Sequence, residues 1–324
     1  MLFPFSRSNK AKNLHTIAFY NLENLFDSKD DRHTLDNDFT PNGFKKWTDK
    51  RYKKKLNKLS STISKLGLKS TEHPPVLVGV AEIENGKVAQ DLLSADALRE
   101  FDYDYVHYES PDERGIDTAL FFLKSHFEVL HSEPIALLVN NSDGIRDTTR
   151  DILYVKGKLN GEITHIFVNH WPSRRAGGQE TEYKRVEAAQ TLIAFMEQIE
   201  MEEAVPNYII MGDFNDGPTA ESIKTLVNSR ALYNPMIKLL SPDRGSANYR
   251  RTWALFDQII VSHSFLNYEK NTHSFAHANI FDERFLTEFK GRYAGNPFRT
   301  FVGKKYLGGY SDHFPVYIQL KYNV

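Results

Sequence analysis

The segment Met211-Gly212-Asp213-Phe214-Asn215-Asp216 follows the apolar run Tyr208-Ile209-Ile210. A short apolar run of this kind reads as a buried strand, and its exit presents a carboxylate and a carboxamide side by side. Near the far end, Gly308-Gly309-Tyr310-Ser311-Asp312-His313 sets another carboxylate next to an imidazole. Oxygen donors suit a hard cation such as Mg²⁺ or Mn²⁺, which binds carboxylates, water and phosphate oxygens together. Asp, Asn and His gathered at strand exits are therefore candidates for cleaving a phosphoester.

Further strand exits carry similar residues. Asn21-Leu22-Glu23 follows Ile17-Ala18-Phe19-Tyr20, Glu82 follows Val78-Gly79-Val80-Ala81, and Asn169-His170 follows His165-Ile166-Phe167-Val168. Each has an ordinary explanation when taken alone. An asparagine after a strand is commonly a turn residue. Glu82 could satisfy the N–H groups of a helix start, His170 could be a hydrogen-bonded core histidine, and Asp213 or Asn215 could cap the next helix. Asp257, inside Leu255-Phe256-Asp257-Gln258-Ile259-Ile260-Val261, is harder to explain away. A carboxylate there is costly to bury without a partner, and a histidine would serve.

These residues need strands to carry them and helices to cover the strands. Thr16–Tyr20, residues 75–81, Tyr103–Tyr108, Thr118–Leu123, Phe127–Leu130, Asp151–Leu159, Thr164–Asn169, Asn207–Met211, Phe256–Val261 and Phe314–Leu320 read as strands. Tyr52, Leu56, Leu59, Ile63 and Leu66 fall at helical spacing from about Asp49, and Gly67 stops that helix. Helices are also expected over 87–99 and 219–228. Another is expected over 181–199, with Val186, Ala189, Ile193, Met196 and Ile199 on one face. Residues 27–50 read as a loop, and 262–306 show no clear periodicity. The mixture of βα units and hairpins favours sheet packed on sheet with flanking helices. We expect one domain over 14–324 after a disordered segment at 1–13.

The joint pattern resembles the endonuclease/exonuclease/phosphatase family, which contains DNase I-like nucleases, abasic-site endonucleases, inositol polyphosphate 5-phosphatases and neutral sphingomyelinases. The Gly-Asp-Phe-Asn and Ser-Asp-His elements are its most specific marks, and the resemblance runs from about residue 14 to 322. It implies a four-layer α/β/β/α sandwich of two packed mixed sheets, with the site at one open edge. It implies that Glu82 is the principal metal carboxylate, with Asp312 and Glu23 on the metal side. Asn21 would hold phosphate or metal-bound water, and Asp213 and Asn215 would position the attacking water and the scissile phosphate. His313 resembles the catalytic histidine, and Asp257 the carboxylate that orients it. His170 matches the second histidine of the DNase I-like and sphingomyelinase-like branches, which the abasic-site branch lacks.

The expected reaction is Mg²⁺-dependent hydrolysis of a phosphodiester, with Mn²⁺ as an alternative ion. The base is either His313, tuned by Asp257, or Asp213 with His313 as a cationic brace; sequence leaves both open. Arg174 and Arg175, directly after His170-Trp171-Pro172-Ser173, are candidates for substrate phosphate or for a solvated loop. Lys45 to Lys58 is the densest basic run, and we read it as the wet face of a helix. The remaining histidines receive no role.

Composition narrows the alternatives. The 324 residues carry 41 Lys+Arg against 42 Asp+Glu, a net charge of -1, and no Cys. Disulfides and thiolate metal sites are excluded, and any nucleic-acid contact must come from a local patch. The favoured reading is a nuclease acting on DNA or RNA. The alternatives are a phosphatase or phosphodiesterase on inositol phosphates or phospholipid headgroups, or an inactive binding module of the same fold. No signal peptide or membrane span is legible, so a cytoplasmic protein without membrane insertion is expected, and no protein partner is evident.

Overall fold

The structure is a computed structural model that describes residues 11–175 and 177–324. Its long strands assemble into two six-stranded sheets. We number their strands β1 (Leu14–Leu25), β2 (Leu77–Ile83), β3 (Tyr103–His107), β4 (Asp117–Leu123), β5 (Phe127–Ile135), β6 (Ile152–Leu159), β7 (Glu162–His170), β8 (Tyr208–Asp213), β9 (Leu232–Tyr233), β10 (Asp257–Ser262), β11 (His273–Ile280) and β12 (Val316–Tyr322). One sheet runs β11-β12-β1-β2-β4-β3 and the other β9-β10-β8-β7-β6-β5. Helices α1 (Asp49–Ile63) and α2 (Gly86–Leu93) pack beside the first sheet, α3 (Glu182–Glu202) and α4 (Glu221–Ser229) on the second. The result is the four-layer α/β/β/α sandwich.

Alternation along each strand sorts the core. In β8, Ile209 and Met211 face the other sheet, whereas Tyr208 and Ile210 pack under α3 and α4. In β7, Ile166 and Val168 face inward and Phe167 outward; in β10, Ile259 and Val261 face inward and Ile260 outward. The two sheets approach closely at Gly79, where a Cβ would lie 2.4 Å from Met211 Sδ.

Each sheet contains one parallel pair, β1 with β2 and β7 with β8, among antiparallel neighbours. This topology places the site. The C-terminal ends of β1, β2, β7 and β8 reach the same edge of the sandwich as the N-terminal ends of β10 and β12, which run antiparallel to β8 and β1.

Several elements differ from the expectations. β1 runs on through the Asn21-Leu22-Glu23 motif. The helix expected over 49–66 ends at Ile63 and is followed by turns. That over 87–99 runs from Gly86 to Leu93 and is capped by Asn85, whose side chain accepts from Val88 N at 2.9 Å. The buried face of α3 is Lys184, Arg185, Ala188, Ala189, Leu192 and Met196. Lys184, Arg185 and two alanines share this stripe with Leu192 and Met196, so a count of large apolar residues misplaces it. Within 262–306 lies β11, an edge strand reading His-Ser-Phe-Ala-His-Ala-Asn-Ile; its exposed side keeps it polar. Of the segment expected to be disordered, residues 1–10 lie outside the described residues. Ala11 pairs with Thr71, its N–H bonding Ser70 O at 3.0 Å. Among the described residues no helix is long and apolar enough to cross a membrane.

Candidate active site

Period-two geometry explains the convergence. His170, Asp213 and Asp257 continue the inward-facing rows of β7, β8 and β10, and Asn21 continues the row of Ile17 and Phe19 in β1. They meet at the mouth between the sheets. Asn21 Nδ2 donates across that gap to Asp213 Oδ2 at 3.0 Å. Asp213 and Asp257 stand directly opposite each other in the β8–β10 ladder, where like charges repel. His313 relieves this: its Nδ1 is 2.7 Å from Asp257 Oδ2 and its Nε2 is 3.9 Å from Asp213 Oδ2.

The glutamates reach the mouth by another route. By alternation Glu82 would point away, since Gly79 faces inward. The β1–β2 ladder slips between Asn21 and Leu25 and the β2–β4 ladder between Ala81 and Ile83. Glu23, Asn24 and Glu82 adopt φ of 51°, 50° and 61°. Left-handed non-glycine residues are costly and cluster where function requires them, and a bulge re-aims a side chain. Here the bulge brings Glu82 Oε1 to 3.9 Å from His170 Nε2, which is itself 3.9 Å from Asp213 Oδ2. Glu82 Oε2 is held by Asn24 N–H at 2.7 Å, while among the described residues the ionic groups within 4 Å of Oε1 are Arg114, at 3.7 Å, and His170, at 3.9 Å.

Glu23, Glu82, Asp312, Arg175, Arg299, Lys45 and His313 line one cavity of about 280 Å³. Glu23 is buried, with Oε2 accepting from Thr300 N at 2.6 Å. Burial and the nearby Asp312 push its carboxyl up to about 7. Arg299 lies between the two acids, paired with Asp312 and 3.6 Å from Glu23 Oε1. Burial raises Asp213 to about 6 against the pull of His313. Burial opposes protonation of His313, but Asp257 and Asp213 together hold it well above the ordinary histidine range. Burial, with Arg150 and Arg114 adding to it, holds His170 well below that range. The two histidines of the site are thus shifted in opposite directions.

Supporting residues fix this arrangement. Ser311 Oγ donates to Asn21 O at 2.7 Å and accepts from His313 N at 3.0 Å, so the Ser-Asp-His loop is tied to the end of β1. Asn215, at φ 50°, donates its N–H to Asp213 Oδ1 and its Nδ2 to Trp171 O, both at 2.9 Å. It therefore braces Asp213. A Cβ on Gly212 would lie 2.4 Å from Asn169 O, so only glycine lets β7 and β8 pair this tightly beneath the site. Arg175 reaches the cavity. Arg174 does not line it: its guanidinium pairs with Asp216 at 3.3 Å and lies over Phe256.

Asp216 anchors the loop that follows β8. Its carboxylate meets Arg185 Nε at 2.7 Å and accepts from Ser222 Oγ at 2.7 Å, with Arg185 and Asp216 both buried. Removing one member of a buried pair costs about 3–5 kcal/mol. We expect Arg185→Ala to lose that much in urea unfolding, and a loss under about 1 kcal/mol would show the pair to be dispensable.

Sequence reasoning missed Arg114, Arg150 and Arg299. Arg150 is buried, pairs with Asp112 at 3.0 Å and donates to Trp171 O at 2.9 Å. Arg114 donates to Asn24 Oδ1 at 2.6 Å. Each stands in a loop rather than at the exit of an apolar run, so the pattern that marks the strand-end acids and histidines does not mark it. The basic run also departs from its expected role. Lys46, Lys50, Lys53 and Lys54 are solvated, but Lys55 is buried, bonding Glu23 O and, at 2.9 Å, Thr300 Oγ1. Lys58 reaches Gly308 O and lies 4.3 Å from the Tyr310 ring centroid. Helix α1 thereby clamps the loop that carries Arg299.

The sequence profile described as "Endonuclease/Exonuclease/phosphatase family" matches residues 16–322. The chain belongs to the endonuclease/exonuclease/phosphatase family. The convergent acids, amide and histidines are its candidate catalytic centre. Nocturnin from Rattus norvegicus is 32% identical over 158 residues, 47% of this chain and 33% of that protein. The match thus spans about a third of the length of the curated relative. Among solved structures, the Bacteroides thetaiotaomicron mannosyl-6-phosphatase Bt3783 superposes with a TM-score of 0.57 at 16% identity, covering 95% of this chain and 100% of that one. TDP2 from D. rerio, complexed with a single-strand DNA product, gives 0.55 at 16% identity, covering 96% and 100%.

The residues also fit a hard divalent cation. The donors are carboxylate oxygens, one oxygen of Glu82 has only distant partners, and Glu23 and Asp312 crowd one another. Asp213, Asp257 and His313 likewise bring one ligand atom each within 4.8 Å of one another. The Nδ1 of His313 is committed to Asp257, however, so that trio reads as a hydrogen-bonded dyad facing a carboxylate.

Proposed function

We propose that this family member hydrolyses phosphodiesters of nucleic acid with Mg²⁺ as cofactor, Mn²⁺ being able to replace it. The observation that carries the proposal is one cavity lined by both signs of charge, the acids Glu23, Glu82 and Asp312 with the cations Arg175, Arg299 and Lys45. The acids suit a metal ion and the cations a phosphate. Glu82 would hold the ion, with Glu23 and Asp312 on the same side. Bound there, Mg²⁺ would neutralise phosphate oxygens and acidify a coordinated water.

The side chains divide the remaining work. Asn21, fixed by Asp213, orients the water or a phosphate oxygen. Asp213, braced by Asn21 and Asn215, takes the proton of the attacking water. His313 has its Nδ1 engaged by Asp257 and turns Nε2 toward Asp213; this favours its role as a cationic brace on the phosphate over that of base. His170 stands 3.9 Å from both Glu82 and Asp213, and because its surroundings disfavour the charged ring, donation of a hydrogen bond to a nonbridging oxygen suits it better than protonation of the leaving oxygen. Arg175 binds substrate phosphate.

A hairpin beside His313 supports the nucleic-acid substrate. Residues Ala247–Tyr249 pair with Thr252–Ala254, and Ala247 bridges to His313. At the tip, Tyr249 is 70% exposed, with the Arg250 guanidinium 5.2 Å from its ring centroid. Arg250 and Arg251 both hold positive φ, 51° and 70°, where such turns prefer Asn-Gly. A strained tip presenting an aromatic face and two guanidiniums suits a stacked base and its phosphates. The D. rerio TDP2 structure with its DNA product is consistent with this.

The test is hydrolysis of DNA, RNA, a phosphoinositide and a sugar phosphate, each with Mg²⁺ and with EDTA. Nucleic acid should be cut and EDTA should stop it. Tyr249→Ala should raise KM about tenfold, as loss of one stacked base implies, with kcat little changed. Turnover of phosphoinositide or sugar phosphate alone would overturn the nucleic-acid assignment.

A further inference from the structure

The edge opposite the catalytic mouth carries a second group of side chains with metal-ligating chemistry. His15 lies at the start of β1 and Asn21 near its end, so the two are roughly 20 Å apart at strand rise. Around His15 stand His73, before β2; His126, in the β4–β5 turn; and His273, at the start of β11. Ring centroids of His15 lie 5.3 Å from His73, 4.9 Å from His126 and 5.6 Å from His273. His15, His73 and His126 each offer one nitrogen, all within 4.8 Å of one another.

Hydrogen bonding around the rings settles which nitrogens are offered. His73 Nδ1 lies 2.8 Å from Pro74 O and must donate, so its Nε2 carries a lone pair. His126 Nδ1 lies 2.9 Å from Asn160 Oδ1. The amide of Asn160 is fixed because its Nδ2 bonds His273 Nε2 at 3.1 Å, and His273 Nδ1 bonds Glu162 Oε2 at 2.6 Å. His126 therefore donates through Nδ1 and presents Nε2. His15 Nδ1 faces His73 Nε2 at 3.3 Å. Two nitrogens on a tetrahedral zinc, each about 2.05 Å from the ion, stand about 3.3 Å apart. The carbonyl, amide and carboxylate behind the rings are the outer-sphere partners that aim metal-bound histidines.

We propose that His15, His73 and His126 form a second metal site, for a borderline transition ion such as Zn²⁺ and distinct in chemistry from the all-oxygen catalytic site. Three imidazoles select such an ion over Mg²⁺. The ligands come from β1, the segment before β2 and the turn that joins the two sheets, with Asn160 and Glu162 contributed by the second sheet. An ion there would fasten the two sheets at the edge away from catalysis. This proposal does not depend on the substrate assignment.

The experiment is Zn²⁺ titration of EDTA-stripped, desalted protein in excess Mg²⁺, read by calorimetry and by melting temperature. A His313→Ala chain removes a competing ligand at the catalytic mouth. It should still bind one equivalent of Zn²⁺ and melt at higher temperature with it. His73→Gln and His126→Asn in the same background should abolish both effects, and Asn160→Ala should weaken binding about 10–100-fold. Absence of Zn²⁺ binding, or binding unchanged by the His73 and His126 substitutions, would overturn the site. Should His126→Asn fail to fold, His73→Gln, at a partly buried position, decides alone.

Discussion

Replacing His313 with alanine is expected to lower kcat by about 10²–10⁴-fold, the range that a group placed for acid–base work contributes. The ring lies between two buried carboxylates that face each other across the β8–β10 ladder. Without it, Asp213 and Asp257 repel at close range. Proton uptake relieves that repulsion, and on Asp213 it would occupy the oxygen that the proposed base needs. The substitution thus removes the brace and also disables the proposed base. Asp257 acts through His313 and is a positioning residue. Asp257→Asn should cost at least about tenfold in kcat, and the double variant should be no worse than His313→Ala, because residues acting as a unit are not additive. Steady-state kinetics of the three variants decide the matter. A His313→Ala enzyme that keeps more than about a tenth of its kcat would sink the assignment of His313 to the reacting centre.

Much of this site is legible in the sequence because strand exits are marked twice. An apolar run ends, and a polar residue of the right parity follows. His170, Asp213, Asp257 and Asn21 all continue inward-facing rows, so alternation alone aims them at the gap between the sheets. Glu82 breaks parity, and its aim depends on a left-handed residue in a bulge that no side-chain pattern announces. Arg114, Arg150 and Arg299 stand in loops whose paths are set by tertiary packing. Lys55 shows the limit of reading charge runs. It sits among solvated lysines, yet its helical position turns it to the core, where Glu23 O and Thr300 Oγ1 receive its ammonium. Strand β11 is illegible because one side of an edge strand faces water. The stripe of α3 escapes the pattern because Arg185, paired with Asp216, occupies a position that periodicity reserves for an apolar residue.

Glu82→Gln tests the other half of the site and should be nearly as severe, with activity falling roughly 10³-fold. A cation's stabilisation of transition-state charge is worth several kcal/mol, and each 1.36 kcal/mol is tenfold in rate. The substitution is isosteric. Asn24 N–H can still bond the retained carbonyl oxygen, so the bulge and its left-handed residues should persist. What is lost is the negative charge at Oε1, the oxygen with only Arg114 and His170 at a distance. Two readouts separate a metal carboxylate from a structural acid. The Mg²⁺ concentration for half-maximal activity should rise, and Mg²⁺ should stabilise the variant less than the parent in thermal melts. The variant without Mg²⁺ should melt no lower than the parent, since the ion pair of Glu82 with Arg114 is long, at 3.7 Å, and the charge removed shares its cavity with Glu23 and Asp312. If Glu82→Gln keeps both its activity and the parent's Mg²⁺ dependence, the cation is held elsewhere. Asp312, freed from Arg299, and Glu23 would then be the carboxylates to replace next.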